Sequence, residues 1–421
     1  MMKTAEQGST TTAAGDSPAG TRHGTGWRAI PGGIWALGFV SMLMDISSEM
    51  IHALLPIYMV TVLGTSVLAV GLIEGIAEAT ASITKVFSGA LSDRLGKRKL
   101  LAALGYGLAA LTKPIFPLAM TLDWLTGARF IDRVGKGIRG APRDALVADI
   151  TPAPLRGAAF GLRQTLDTFG AFLGPLLAIG LMWLTANHFQ TVFWIAVIPA
   201  FLSIGVLLLF VRDPKHAQAP RRVRAPLSRR ELARLGPAYW WVVGVGTIFT
   251  LARFSEAFLI LRGQAAGLAP MWTPAVLVVM GLAFSLSAYP AGALSDRVGR
   301  MAVLGTGLIL LVAADLVLAF APGLGGLTAG VVLWGLHMGF TQGIFAALIA
   351  DSAPAELRGT AFGMFNLLTG LALLLASVIA GGLWDIGGYQ TTFLAGAGFA
   401  ALTLPGLLVL RAKLPTVRHP A

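Results

Sequence analysis

Long apolar stretches separated by short charged clusters recur along this chain after a polar first segment. Four of them contain no Asp, Glu, Lys or Arg, and each can supply one or two membrane spans at roughly 20 residues per span. They cover 168–211, 263–295, 359–384 and 386–410. Backbone groups inside a bilayer must be hydrogen-bonded internally, and these stretches are too long and too rich in Leu, Ala and Gly for barrel strands. The pattern therefore predicts an all-α membrane protein.

Apolar windows between charge clusters predict about twelve transmembrane helices. The predicted spans cover 33–62, 68–91, 99–119, 122–150, 157–184, 190–212, 236–263, 272–293, 301–320, 324–350, 359–384 and 389–412. We expect two six-helix bundles, at 33–212 and 236–412, joined by a basic, proline-containing linker at 213–235. The first 32 residues are rich in Thr, Ser, Gly and Ala, which predicts a disordered N-terminal tail. Residues 413–421 form a short C-terminal tail.

Basic residues are distributed unevenly between the two predicted sides of the membrane. With these spans, 24 of the 32 Lys and Arg residues lie on the side that holds both termini and the linker. Only Arg262, at a helix end, lies on the other side. Loops rich in Lys and Arg stay in the cytoplasm. The asymmetry predicts a multi-pass protein of the cell inner (plasma) membrane with both termini cytoplasmic.

Two segments of the first half recur in the second half at nearly one offset. The segment 147–161 returns at 349–363, an offset of 202, and 89–96 returns at 292–299, an offset of 203. An offset of six helices preserves orientation in the membrane, so the two bundles should be related by a pseudo-two-fold axis along the membrane normal.

Composition excludes several classes of function. The chain has no cysteine, which excludes disulfides, thiolate metal sites and a cysteine nucleophile. The net charge of +12 fits the cytoplasmic bias of basic loops better than nucleic-acid binding. Gly135-Lys136 lacks the other residues of an ATP-binding Walker A loop. No nucleophile, base and orienting group occur together, so we predict neither an enzyme nor a cofactor.

Charged residues inside the first two predicted spans are candidates for a functional site. Asp45, Glu49 and His52 follow helical spacings on the first span, and Glu74 and Glu78 are four apart on the second. An unpaired carboxylate is costly to bury, so these groups must form ion pairs, bind a cation or hold a proton. His52 with the acids also suits a divalent metal or a chelate, although a single His near a helix end is more often a polar lining group. We therefore predict no metal site, and keep metal as an alternative.

The fourth span is unusually charged. Among its charges, Arg129, Asp132 and Arg133 lie deepest, and lipid would not tolerate this density unless most of it faced protein or water. Further candidates are Asp167 on the fifth span, Arg253 and Glu256 on the seventh, and Asp315 on the ninth. Arg253 and Glu256 are three residues apart, and so could simply pair with each other.

One loop gives a resemblance to a known family. The sequence Gly-x-Leu-x-Asp-Arg-x-Gly-Lys-Arg-Lys at 89–99 resembles the signature loop between spans two and three of the major facilitator superfamily, and 292–300 is a half-matched copy. Gly89 allows close helix approach, Gly96 allows a tight turn, and Asp93 could accept hydrogen bonds when the cytoplasmic side is shut. The predicted gating residues are Gly89, Asp93, Arg94, Gly96, Gly292, Asp296, Arg297, Gly299, Asp149, Arg156, Asp351 and Arg358.

Two further motifs resemble those of the same family. Arg133-x-x-x-Gly137 is similar to its fourth-span motif, in which an arginine faces the central cavity and is linked to proton transfer. Because spans one and four line the family's cavity, a switchable Glu49–Arg133 pair is a hypothesis, with a static buried ion pair as its rival. Gly170, Gly174 and Pro175 partly match the antiporter motif of drug-efflux members, where the helix acts as a hinge.

The resemblance implies a secondary transporter that alternates access around a cavity lined by spans 1, 4, 7 and 10. The embedded charges favour proton coupling. The partial antiporter motif of the fifth span favours export, so we expect proton antiport that exports a small polar or charged solute or a drug. Alternatives are a proton-coupled importer of a metabolite or metal chelate, a divalent metal or metal-chelate exporter, and a non-transporting sensor. The expected partners are a small solute, protons and the lipid bilayer, with the chain acting as a monomer and without nucleic acid.

Overall fold

The computed structural model describes residues 30–152, 155–212, 229–354 and 357–413. The predicted tails fall mostly outside these ranges, as does most of the linker. Among the predicted gating residues, the side chains of Asp93, Arg94 and Asp296 are also outside the described part.

Every regular element within the described ranges is a helix. We number the membrane-length helices α1 to α12. Their bounds are α1 Gly32–Thr61, α2 Val67–Leu95, α3 Arg98–Leu118, α4 Leu122–Ile150, α5 Arg156–Leu184, α6 Phe189–Phe210, α7 Pro237–Ala265, α8 Ala275–Val298, α9 Arg300–Phe320, α10 Gly323–Ser352, α11 358–387 and α12 389–413.

Within the described ranges, ten continuous helical segments are long and apolar enough to cross a membrane. The last of them contains two helices, because Gly388 breaks it with φ 75° and ψ −176°. The helix α4 adds one more, since it has 29 residues although its charges make it less apolar. The prediction of about twelve membrane helices is confirmed for the part of the chain that the structure describes.

Helix α7 is interrupted in the middle. Its first half ends at Ala252 and its second half begins at Ala257. Two side chains satisfy backbone groups freed by the break: the Ser255 N–H donates to Ser377 Oγ at 3.2 Å, and the Ala257 N–H donates to Ser255 Oγ at 3.3 Å. Irregular backbone at membrane depth is tolerated where it is buried in protein or lines a cavity.

Packing divides the helices into two groups of six. In the first group α1 packs against α5 and α6, and α4 packs against α2 and α3. In the second group α10 packs against α8 and α9, while α7 contacts both α11 and α12. The two groups meet where α2 crosses α11 and where α5 meets α8.

The bundles are held together at one end of the molecule. We call the end where α1 begins the termini side and the opposite end the distal side. On the distal side, Leu55–Thr61 contacts Ala257–Ala265, and α5 contacts Pro270–Trp272. Asp385 of the second bundle accepts hydrogen bonds from the first two N–H groups of α2. Contacts from both bundles therefore close the distal side.

Candidate functional site

A central cavity of about 430 Å³ lies between the two bundles. Residues from α1, α2 and α4 line one wall, and residues from α7, α10 and α11 line the other. The helices α2 and α11 thus contribute in addition to the four that the sequence predicts. Six of the predicted site residues line the cavity: Glu49, His52, Glu78, Arg133, Arg253 and Glu256. Sequence reasoning did not include Lys136, which lines it as well.

Arg133 pairs with Glu78 rather than with Glu49. The distance from Arg133 Nη1 to Glu78 Oε1 is 3.2 Å. The direct Glu49–Arg133 contact is not formed in this conformation, and the switchable pair stays a hypothesis. The reason for the pairing with Glu78 is the close packing of α2 on α4, where the Ser88 hydroxyl donates to the Gly137 carbonyl at 2.9 Å. A Cβ at Gly137 would lie 2.8 Å from the Ala81 carbonyl oxygen, so the glycine permits this approach. Glu49 lines the same cavity beside the pair.

His52, Glu74 and Arg129 form a buried cluster at the cavity edge. Arg129 Nη2 donates to Glu74 Oε2 and to His52 Nδ1, both at 2.8 Å, and His52 Nδ1 lies 3.7 Å from Glu74. The imidazole and the carboxylate are therefore engaged by a guanidinium. Among the described residues, no group of three or more His, Asp and Glu is arranged to hold a metal ion. The structure gives no support to the metal alternative at His52.

Asp132 also has a buried partner, which sequence reasoning missed. Lys113 Nζ lies 2.9 Å from Asp132 Oδ1 and 3.1 Å from Ser48 Oγ. Both charged side chains are at most 3% exposed. The sequence analysis gave no role to Lys113, which lies inside the predicted third span 99–119.

Asp45 and Asp167 lie in a second charged cluster towards the termini side, and neither lines the central cavity. Asp45 is 3.9 Å from Arg139, and Asp167 is 2.7 Å from Arg163 and 3.7 Å from Arg143. Their expected place in the central cavity is wrong for this conformation. The helix rise explains this, because residues one turn apart differ in depth by about 5.4 Å. Pairs with carboxylates of neighbouring helices thus account for most of the charge on α4.

The second-bundle charges also differ from expectation. Arg253 and Glu256 lie on the non-helical break of α7, where the three-residue spacing no longer places them together. Within the described part of the chain, neither has an ion-pair partner within 4.0 Å. Asp315 does not line the cavity. It is fully buried on α9 behind Phe254 and beside Gly396, and neither carboxylate oxygen has a hydrogen-bond partner among the described residues.

Aromatic rings cover much of the second-bundle wall. The ring of Phe249 stacks on Phe345, with centroids 5.2 Å apart and planes 26° apart. Phe345 in turn stacks on Phe365, at 6.3 Å and 29°. The three rings belong to α7, α10 and α11 and all line the cavity. Their distance in sequence explains why no local pattern could have found this ladder.

The predicted hinge glycines lie in a close helix–helix contact. A Cβ at Gly170 would lie 2.6 Å from the Met42 carbonyl oxygen, and one at Gly174 would lie 2.7 Å from Glu49 Cβ. Helix α5 continues through the buried Pro175. The glycines therefore bring α5 against α1, directly behind Glu49.

In the gating loops, equivalent residues of the two repeats form equivalent ion pairs. Arg98 pairs with Asp149, and Arg300 pairs with Asp351, one such pair at the same place in each bundle. Gly96 and Gly299 take φ values of 63° and 89°, the tight turns that the sequence predicts. Of the remaining gating residues, Arg156 and Arg297 are exposed, and Arg358 Nε donates to Ala350 O. A Cβ added at Gly89 would lie 3.4 Å from Ala141 Cβ, so α2 lies close to α4 there. A Cβ added at the repeat counterpart Gly292 would meet no atom within 4 Å.

A sequence model described as Major Facilitator Superfamily matches residues 37–285 and 263–421, nearly the whole chain. The chain belongs to the major facilitator superfamily. A relative from Methanocaldococcus jannaschii, named an uncharacterized MFS-type transporter, is 34% identical over 91% of this chain and 95% of its own length. The multidrug resistance protein MdtH of Photorhabdus laumondii is 33% identical over 38% of this chain and 39% of its own length.

Solved structures of the superfamily share the fold. A POT family transporter, crystallised in complex with 5-aminolevulinic acid, superposes with a TM-score of 0.77 at 14% identity and covers 94% of this chain and 98% of that chain. The superfamily resemblance that the sequence suggested is confirmed. The chain is accordingly a multi-pass membrane protein and a secondary transporter rather than an enzyme.

Proposed function

We propose that this transporter exports a small polar or charged solute, or a drug, in exchange for protons. The observation that carries the proposal is the central cavity, where ionisable side chains of both signs lie between two bundles that contact each other on the distal side. Embedded charges are costly to keep in a membrane, and in transporters they mark ion and substrate pathways.

Proton coupling is assigned to the carboxylates around Arg133. The Glu78 side chain is 31% exposed, so water in the cavity can reach it, whereas Arg133 is 4% exposed. Protonation of Glu78 would remove the charge that holds the guanidinium. Arg133 would then be free to pair with Glu49 or with an anionic group of the solute. Such a change of partner biases the balance between the two access states if it occurs in only one of them.

The termini side is proposed to be cytoplasmic, in the cell inner membrane. The support is the concentration of 24 of the 32 Lys and Arg residues on that side. The basic linker and both tails would also be cytoplasmic. The distal contacts then correspond to a state that is closed to the outside, with the cavity available to cytoplasmic solute. One chain contains the whole cavity, which is consistent with a monomer.

Export is favoured over import by two observations. Gly170, Gly174 and Pro175 match part of the antiporter motif, and they lie against α1 directly behind Glu49. The similarity to a multidrug resistance protein covers about a third of the chain and points in the same direction.

The test is the solute-induced pH change in proteoliposomes that contain the purified chain. Drugs, metabolites and amino acids are screened against an imposed pH gradient, with Glu78→Gln and Glu49→Gln as coupling variants and exposed Asp123→Asn as the matched control. We expect protons to move against the solute in the native chain and the control, and the coupling variants to lose this signal. Protons that move in the same direction as the solute would instead establish an importer. Unchanged coupling in both variants would show that the coupling site is misplaced.

A further inference from the structure

The two walls of the central cavity differ in chemistry. On the second-bundle wall, Phe249, Phe345 and Phe365 form a continuous stack of three rings. Phe254 and Trp334 add two further aromatic rings to the same wall. Offset-stacked rings at centroid distances of 4.5–7 Å attract one another, and the face of a further flat ring can join such a stack.

The position of the stack is set by the backbone of α7. Gly246 lies opposite Phe365, and a Cβ at that position would come within 2.6 Å of the Phe365 ring. The glycine therefore leaves the space in which Phe365 lies against α7. Phe249 is three residues further along the same helix, so one helix face fixes both ends of the ladder.

The carboxylates of the cavity are balanced by an equal number of Lys and Arg side chains. Three acids line it, Glu49, Glu78 and Glu256, and three bases line it, Arg133, Lys136 and Arg253. His52 also lines it, and its Nδ1 accepts a hydrogen bond from Arg129. Glu78 and Arg133 neutralise each other at 3.2 Å. Among the described residues, the other two acids and the other two bases have no ion-pair partner within 4.0 Å. A solute with a single charge would satisfy groups of one sign only, whereas a zwitterion offers a partner to both.

On the basis of the proposed transport function, we infer that the solute is a planar aromatic zwitterion, a molecule with a flat ring system and both an ammonium and a carboxylate group. Its ring stacks against the Phe249–Phe345–Phe365 ladder. Its charged groups face Glu49 and Lys136 across the cavity and Arg253 and Glu256 at the break of α7. The volume of about 430 Å³ lies within the range of small-molecule pockets.

The inference is tested by equilibrium binding to the purified full-length chain in lipid nanodiscs, which needs no proton gradient. Three ligands are planar zwitterions: tryptophan, kynurenine and norfloxacin. Three more ligands are used for comparison with tryptophan. Tryptophan amide lacks the carboxylate, N-acetyltryptophan lacks the ammonium group, and leucine lacks the ring. We expect at least one planar zwitterion to bind about 10-fold more tightly than leucine. If tryptophan binds, it should also bind about 10-fold more tightly than tryptophan amide and N-acetyltryptophan.

Variants then locate the ring. Phe345→Leu and the less buried Phe365→Leu should each weaken binding of the aromatic zwitterion by about 3- to 10-fold and leave the weak binding of leucine unchanged. The matched control is Phe201→Leu, at a residue of α6 that is 43% exposed and does not line the cavity. Thermal unfolding of each variant checks that it is folded.

The outcomes separate this inference from the proposed function. The inference is overturned if none of the three planar zwitterions binds, or if those that bind do so no more tightly than leucine. Proton-coupled flux of a different solute would leave the proposed function standing and overturn the inference alone. Binding of an aromatic zwitterion without any proton movement would support the inference and overturn the proton coupling of the proposed function.

Discussion

The Asp385 carboxylate accepts a hydrogen bond from the backbone N–H of Val67 at 3.0 Å, and its second oxygen accepts one from Leu68 at the same distance. The acceptor lies on α11 of the second bundle, and the donors begin α2 of the first. A carboxylate at a helix N-terminus satisfies N–H groups that have no partner within the helix and interacts favourably with the helix dipole. The contact must break whenever the bundles separate on the distal side.

Asp385→Asn should therefore favour a state that is open on the distal side. Loss of the charge removes about 1–2 kcal/mol from the closed state, which shifts the balance about 5- to 30-fold. Because the chain has no native cysteine, spin labels can be placed at introduced cysteines replacing the exposed residues Met120 and Phe320. Electron–electron distance measurements should show a larger population of long distances. Asp123→Asn, in the first turn of α4, is the control. Identical distance distributions for Asp385→Asn and the native chain would show that this contact does not hold the distal side closed.

The buried Lys113–Asp132 pair predicts a strong dependence on both partners. Lys113→Met leaves an unpaired carboxylate in the bundle and should lower the free energy of unfolding by about 3–5 kcal/mol. The double variant Lys113→Met with Asp132→Leu should recover most of that loss, because it removes both charges. Thermal unfolding in detergent measures the difference, and Lys97→Met at an exposed lysine is the control. A double variant no more stable than the single one would contradict this reading.

The contact between Gly174 and Glu49 predicts that α5 cannot accept a methyl group there. Gly174→Ala forces a shift of α1 and should cost about 1–3 kcal/mol. It should also reduce transport, because the displaced segment carries Glu49. The same substitution at Gly180, on the same helix, meets no atom within 4 Å and should be neutral or slightly stabilising. The melting temperature and the transport rate of the Gly174→Ala and Gly180→Ala variants are compared. Equal effects of the two substitutions would refute the packing argument.

The repeated pairs Arg98–Asp149 and Arg300–Asp351 differ in exposure. The first pair is about 20% exposed on both side chains, at 21% and 19%, while the second is 35% and 52% exposed. Exposed ion pairs contribute little and are screened by salt. Asp149→Asn should therefore cost about 1 kcal/mol and Asp351→Asn about 0.5 kcal/mol or less. Thermal unfolding at low and high salt measures this, and the reverse order would show that exposure does not set their strength.

Local patterns in the sequence predicted much of the fold. The apolar windows predicted about twelve helices, and the two repeats indicated matching bundles. The largest difference between the predicted and the observed helices lies inside α7. The apolar window predicts one helix there, but the helix is interrupted at residues 253–256. Hydropathy averages over about 20 residues, so it cannot detect a four-residue interruption whose freed backbone N–H groups donate to Ser255 and Ser377.

The candidate site was predictable in its residue types but not in its pairings. The sequence alone determined that charged groups lie within the membrane-spanning segments. A span needs about 20 residues, and these charged residues fall inside apolar windows of that length. Tertiary structure decided which groups meet: Arg133 with Glu78, Asp132 with Lys113, and Asp385 with the start of α2. It also decided that Asp315 lies away from the cavity and that three distant phenylalanines form one wall. Ion pairs and ring stacks depend on separations of a few ångströms between helices far apart in the chain, and only the packing of the bundles sets those distances.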